Sequence, residues 1–90
     1  ELVNDVIISN KSDFDLHQAN ITIGTASTRR IAFLKHFYPN VTAVTVRGNL
    51  QTRVQKMHDG ACDALMLAYA GVHRMGYNHL IKETIGTSYF

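Results

Sequence analysis

Five arginines are the residues best suited to chemistry, because each lies where a candidate strand passes into a candidate helix. They are Arg29, Arg30, Arg47, Arg53 and Arg74. A guanidinium group presents a planar fork that binds a carboxylate or phosphate through two hydrogen bonds. The four lysines show no such placement. Several guanidinium groups along one edge suit a ligand with several anionic arms better than a single phosphate.

The charges are unevenly distributed, although the formal net charge is only +2. No carboxylate occurs between Leu16 and His58, whereas that stretch contains six of the nine lysines and arginines. A surface built from it attracts anions. A solvated basic face and a nucleic-acid interface are alternative interpretations. We expect no nucleic-acid partner, because neither interleaved aromatic and basic residues nor a helix-turn-helix pattern occurs.

Hydrophobic periodicity and breaker residues divide the chain into alternating strands and helices. Strands are predicted at residues 5–10, 21–24, 41–47 and 64–68. Helices are predicted from about 27 to 38, from 50 to the turn before Gly60, from 71 to 75 and from 78 to 84. Ser27 or Thr25 can cap the first helix and Asn49 the second. This alternation predicts an α/β fold with parallel pairing, but it leaves the strand order open.

The loops that follow parallel strands share one edge of a sheet, which is where ligands bind in such folds. We therefore expect the arginines to converge at that edge. Arg30 and Arg53 flank the apolar stripes of their helices at the ends nearest the sheet, and Asn49 lies one turn before Arg53. The backbone amides of residues 25–28 open a helix and add partial positive charge.

Ninety residues with 46% hydrophobic and 18% charged side chains predict one globular domain, residues 1–90. No apolar run is long enough to cross a membrane, so no membrane partner is expected. Cys62 is the single cysteine and is interpreted as a packing residue in a reducing, cytoplasmic setting. The five histidines show no metal-ligand spacing, so no metal is expected. The histidines and Tyr69 are interpreted as surface or packing residues, with ligand contact by His73 or Tyr69 as the alternative.

Three segments resemble motifs of the porphobilinogen deaminase (hydroxymethylbilane synthase) family. Residues 24–30, GTASTRR, resemble its GTSSLRR motif, and residues 46–53, VRGNLQTR, resemble its RGNxxTR motif. Residues 63–76, DALMLAYAGVHRMG, resemble DAIILAxAGLxRLG. The likeness covers nearly the whole chain. It departs at Ala26 and Thr28, where the family has serine and leucine, and the missing serine hydroxyl removes one hydrogen bond.

The resemblance implies a transferase of tetrapyrrole (heme) biosynthesis that joins four porphobilinogen molecules into hydroxymethylbilane and releases ammonia. It identifies the chain as the middle domain (domain 2) of three. That domain is a single α/β lobe with a mixed, largely parallel sheet flanked by helices, like one lobe of a type II periplasmic binding protein. The implied binding residues for the carboxylates of substrate and dipyrromethane cofactor are Thr25, Ser27, Arg29, Arg30, Arg47, Gly48, Arg53, Ala68 and Arg74.

The same resemblance places the catalytic aspartate in the first domain and the cofactor-bearing cysteine in the third, so no catalytic residue is assigned here. The implied partners are porphobilinogen, the growing polypyrrole chain and the other two domains. We therefore expect this stretch alone to show no turnover. An anion-sensing effector or regulatory module is the alternative function, because it would share an arginine-lined cleft.

Overall fold

The computed structural model describes residues 4–18 and 20–85, which form one mixed sheet with helices on both faces. The strands are β1 (Asp5–Ile8), β2 (Ile21–Thr25), β3 (Val41–Thr45), β4 (Ala64–Ala68) and β5 (Ile81–Ile85). The helices are α1 (Thr28–Phe37), α2 (Leu50–His58) and α3 (Tyr69–Arg74), and a 3-10 turn covers Asn78–Leu80.

The direction of β1 decides what lies at each edge of the sheet. The strand order is β3-β2-β4-β1-β5, in which β2 is parallel to β3 and β4. β1 is antiparallel to both of its neighbours, and its first residue, Asp5, is the register partner of Ala68 at the end of β4. The start of β1 therefore lies at the same edge as the carboxyl ends of β2, β3 and β4.

Two hydrophobic cores cover the two faces of the sheet, because successive strand residues point to opposite sides. On one face, α1 buries Phe33 and Leu34 against strand residues that include Ile7 and Met66. On the other face lie the apolar residues of α2, α3 and the alternate strand positions: Val6, Ile8, Val46, Val54, Met57, Cys62, Leu65, Leu67 and Val72. The helices packed on both faces fix the strand ends relative to one another.

Local signals in the sequence determine where α1 and α2 begin. Ser27 and Asn49 are their N-cap residues, and each side chain accepts a hydrogen bond from a backbone N–H in the first turn. The prediction of Asn49 as a cap is confirmed, and of the two candidates for the first helix, Ser27 and Thr25, the structure has Ser27. α1 ends at Phe37, two residues before Pro39.

The predicted last helix, residues 78–84, is wrong. Only the 3-10 turn at Asn78–Leu80 is helical, and β5 follows it and pairs with β1. This pairing satisfies the outer edge of β1 and buries Ile85, and such long-range gains outweigh local helix propensity. Smaller differences are that α3 begins at Tyr69 rather than Gly71, and that β1 and β3 end two residues earlier than predicted.

Within residues 4–18 and 20–85, no helix is long and apolar enough to cross a bilayer. The same residues hold no group of three or more His, Cys, Asp and Glu side chains arranged to bind a metal ion.

Candidate functional site

The junction of β2 and α1 orients the first residues of the site. Thr25 is fully buried at the end of β2, and its Oγ1 accepts a hydrogen bond from the Ser27 N–H at 3.3 Å. The Ser27 hydroxyl in turn accepts from the Arg30 N–H at 3.3 Å. These two bonds fix the first turn of α1, so Arg30 projects from a defined position at the sheet edge.

Arg30 forms an ion pair with Asp5, the first residue of β1. Its Nη2 lies 2.8 Å from Asp5 Oδ1, and the two side chains are only 17% and 3% exposed. The contact uses one atom of each partner. Asp5 Oδ2 and Arg30 Nε are both buried and have no hydrogen-bond partner among the described residues. The pair is therefore single-ended, where an arginine and a carboxylate can form two parallel bonds.

Arg53 brings a second guanidinium group to the same place from the first turn of α2. Burial, followed by repulsion from Arg30, lowers the pKa of the Arg53 guanidinium below its ordinary value. Its Nε is also buried without a hydrogen-bond partner in the described part of the chain. An unsatisfied buried donor costs about 1–3 kcal/mol. Because the two guanidinium groups also repel each other, an added negative charge between them would stabilise this arrangement.

A cavity of about 160 Å³ lies between these two arginines and the end of β4. Its lining consists of Arg30, Leu50, Arg53, Leu67, Ala68 and Gly71. Sites that enclose a drug-sized ligand typically measure about 300–1,000 Å³. This cavity is thus large enough for an acidic side arm, and a larger ligand would extend beyond it.

The loop between β3 and α2 contains a glycine turn that leads into the helix bearing Arg53. Gly48 has φ +118°, a conformation that side chains rarely adopt, and a Cβ there would lie 2.9 Å from Thr52 Cγ2. Asn49 Oδ1 accepts from the Thr52 N–H at 2.8 Å and starts α2. Lys56 Nζ donates to the Arg47 carbonyl oxygen at 3.0 Å, which ties the loop to the helix while the Arg47 side chain points out.

The guanidinium groups of Arg30 and Arg53 and the one carboxylate of Asp5 give this edge a net positive charge. Comparisons of the chain with known proteins show which family it belongs to. Residues 1–90 match the family model described as porphobilinogen deaminase, dipyromethane cofactor binding domain. The chain belongs to the porphobilinogen deaminase family.

Individual relatives agree with the match to the whole family. The chain is 56% identical to the porphobilinogen deaminase of Cytophaga hutchinsonii over 91 residues, which is 100% of this chain and 29% of that protein. It is 51% identical to the porphobilinogen deaminase of Desulfosudis oleivorans over 88 residues, with 96% and 28% covered. The chain thus spans less than a third of the length of these relatives.

A solved structure, that of a mutant of ArgBP from T. maritima, shares the fold. The TM-score is 0.59 at 16% sequence identity, and the match covers 96% of this chain and 42% of that one. At this identity the likeness concerns the fold alone. It confirms the predicted α/β lobe with a mixed sheet flanked by helices.

The porphobilinogen deaminase motifs in this chain supply both arginines of the cavity. Arg30 closes the first motif and Arg53 closes the second, and Ala68, from the third, lines the same cavity. Arg29 and Arg47 are exposed. Arg74 is exposed too and is the last residue of α3, beyond the strand-to-helix junction where it was expected. It follows Gly71 by three residues, so it lies on the same helical face as the cavity lining.

Sequence reasoning missed one residue of this candidate site, Asp5. The available signal was an acidic residue directly before the apolar run VII, where a buried carboxylate needs a cation. Its place at this edge depends on the antiparallel direction of β1, which the sequence pattern did not reveal.

Cys62 lies away from this edge, in the core beside Gly24 and Val46. Burial raises the pKa of its thiol above the ordinary value. Because thiol reactivity requires the thiolate, the burial and raised pKa support the interpretation of Cys62 as a packing residue.

Proposed function

We propose that this chain is the middle domain (domain 2) of a three-domain porphobilinogen deaminase. In this proposal it binds the acetate and propionate carboxylates of the dipyrromethane cofactor and of the growing pyrrole chain. The observation that carries the proposal is that two partly buried guanidinium groups, those of Arg30 and Arg53, line one cavity.

The chemistry of these donors fits a polycarboxylate. Arg30 and Arg53 would hold one acidic arm in the cavity, where Ala68 and Gly71 leave room for it. Arg29, Arg47 and Arg74 would hold further arms along the exposed rim, and the peptide around Thr25, Ser27 and Gly48 would shape the wall. Bound this way, the cofactor supplies a covalently anchored pyrrole end for chain growth.

The lobe's contribution to the reaction is positioning. Fixing acidic side arms converts an encounter between two pyrroles into a reaction within one complex, which lowers the entropic part of the barrier. The whole protein would then join four porphobilinogen molecules into hydroxymethylbilane with release of ammonia, in the cytoplasm. The acid–base residue and the cofactor-bearing cysteine would come from the other two domains, so the 90-residue chain alone would form no product.

The test uses the full-length protein that contains this chain and the substitution Arg53→Gln. One well-made charge-assisted bond contributes about 1.5–3 kcal/mol, so kcat/KM for hydroxymethylbilane formation should fall about 10- to 150-fold. Lys35→Gln is the matched control, because Lys35 is an exposed cation on α1, outside the cavity. Its rate should equal that of the wild-type protein. Equal rates for both variants would contradict the proposed role of the cleft.

The anion-sensing module expected as an alternative shares the arginine cleft but is not favoured, because the family match extends over all 90 residues.

A further inference from the structure

We infer that Asp5 is a positioning residue of the cleft: it holds the Arg30 guanidinium in one orientation beside Arg53 and keeps the two cations together. The inference rests on the proposed function, because it concerns how the arginines stay ready for a carboxylate. It assigns a role to a residue outside the three family motifs.

The first support is the geometry of the ion pair. Asp5 accepts from Arg30 Nη2 at 2.8 Å, and its side chain is 3% exposed. The ladder with Ala68 and Ile85 on either side fixes the Asp5 backbone in the sheet. Because the acceptor is buried and its strand is paired on both sides, it restricts the long Arg30 side chain more than a surface carboxylate would.

The second support is the charge balance. Arg30 and Arg53 are close enough for repulsion to lower the pKa of Arg53. Asp5 is the only acidic residue that an ion pair places against either arginine in residues 4–18 and 20–85. Without its charge, the two guanidinium groups would gain freedom to move apart into solvent.

The third support is the pattern of unused atoms. The pair engages Nη2 alone, and among residues 4–18 and 20–85 the buried atoms Arg30 Nε, Asp5 Oδ2 and Arg53 Nε have no hydrogen-bond partner. A second bond to Asp5 would satisfy Arg30 internally. The single-ended contact instead anchors one side of the guanidinium and leaves donors for another acceptor.

The experiment compares Asp5→Asn and Arg30→Gln, singly and together, in the full-length protein with its cofactor. Asparagine keeps the shape of the side chain and removes its charge. We expect Asp5→Asn to raise KM for porphobilinogen about tenfold with kcat changed less than about threefold, because ground-state binding is weakened rather than chemistry. Asp13→Asn, an exposed carboxylate far from Arg30, is the matched control and should leave both constants unchanged.

The double variant separates positioning from a direct or purely structural effect. If Asp5 acts through Arg30, adding Asp5→Asn to Arg30→Gln changes KM by less than about twofold. The intact mass of the denatured protein gives a second readout, the fraction that carries the covalent cofactor, and this fraction should fall in both single variants. A normal KM with full loading in Asp5→Asn, or additive effects in the double variant, overturns the inference.

Folding is monitored by thermal melting of each variant. If Asp5→Asn does not fold, Asp5→Glu is tested by the same criteria. Glutamate keeps the negative charge but moves the carboxylate away from its position beside Arg30. Failure of both variants to fold overturns the inference in favour of a purely structural role. A normal Arg30→Gln protein would instead contradict the proposed function itself, whatever the result at Asp5.

Discussion

The close packing of Gly24 yields a sharp test of how the core supports the cleft. A Cβ at Gly24 would lie 2.4 Å from Val46 Cγ2 and 3.2 Å from Cys62 Sγ. All three residues are buried, and the Val46 N–H is bonded to the Thr25 carbonyl at 3.0 Å. The Gly24→Ala variant must therefore displace the segment that leads into Arg47.

The size of the effect follows from two opposing contributions. Overpacking a core typically costs about 1–3 kcal/mol. Replacing glycine with alanine stabilises the folded chain by about 0.4–1 kcal/mol, because it reduces the conformational entropy of the unfolded chain. A contact of 2.4 Å makes the first contribution the larger one, so Gly24→Ala should lower the free energy of unfolding by about 1–2 kcal/mol. For a domain of this size, each kcal/mol corresponds to about 4–8 °C in Tm.

Urea denaturation of the 90-residue chain measures this loss, and Val46→Ala provides the matched background. With Cγ2 of Val46 removed, Gly24→Ala should cost less than about 0.5 kcal/mol, so the two substitutions are coupled. The reasoning is refuted if Gly24→Ala is as stable as the wild-type chain, or if it loses as much in the Val46→Ala background.

Three further outcomes are expected. Hydrogen bonding from Lys11 lowers the pKa of Asp63 below its ordinary value of 3.8. The ionised Asp63 therefore stabilises the fold above pH 3.8, and this stabilisation is lost as the pH falls through the lowered pKa. Urea titrations should show Asp63→Asn clearly less stable than the wild-type chain at neutral pH, and the difference should shrink in acid. Asn49→Ala removes the cap bond to Thr52 and should cost about 1 kcal/mol in the same assay, and no change would contradict the capping role. Because burial raises the pKa of the Cys62 thiol, iodoacetamide should label it slowly in the folded chain and rapidly after unfolding, and fast labelling of the folded chain would disprove its burial.

Local features of the sequence were sufficient for most of the fold. Ser27 and Asn49 act through bonds to their own helices, and the strand at Ala64–Ala68 is continuously apolar, so neighbouring residues alone reveal them. The helix predicted at residues 78–84 was wrong because most of this segment forms β5. β5 forms because it pairs with β1, and pairing with a strand more than 70 residues away produces no signal in the neighbouring sequence.

The candidate site was predictable to the same extent. The positions of Arg30 and Arg53 at strand-to-helix junctions were enough to expect that they meet, and the structure places both at one cavity. Asp5 could not be foreseen as their companion, because its place depends on strand direction. The exposed positions of Arg29, Arg47 and Arg74 leave their roles as predictions.

The reversed direction of β1 has a consequence for how this lobe can be joined to other polypeptide. Asp5 and Ile85 are register partners, so the described segment enters and leaves the sheet side by side. Units with neighbouring ends can be inserted into a host chain or circularly permuted without rebuilding their interior. Both connections would emerge beside the arginine cavity, so covalent linkage and the proposed ligand contact would share one rim, whereas the ion pair of Lys11 and Asp63 lies at the opposite rim.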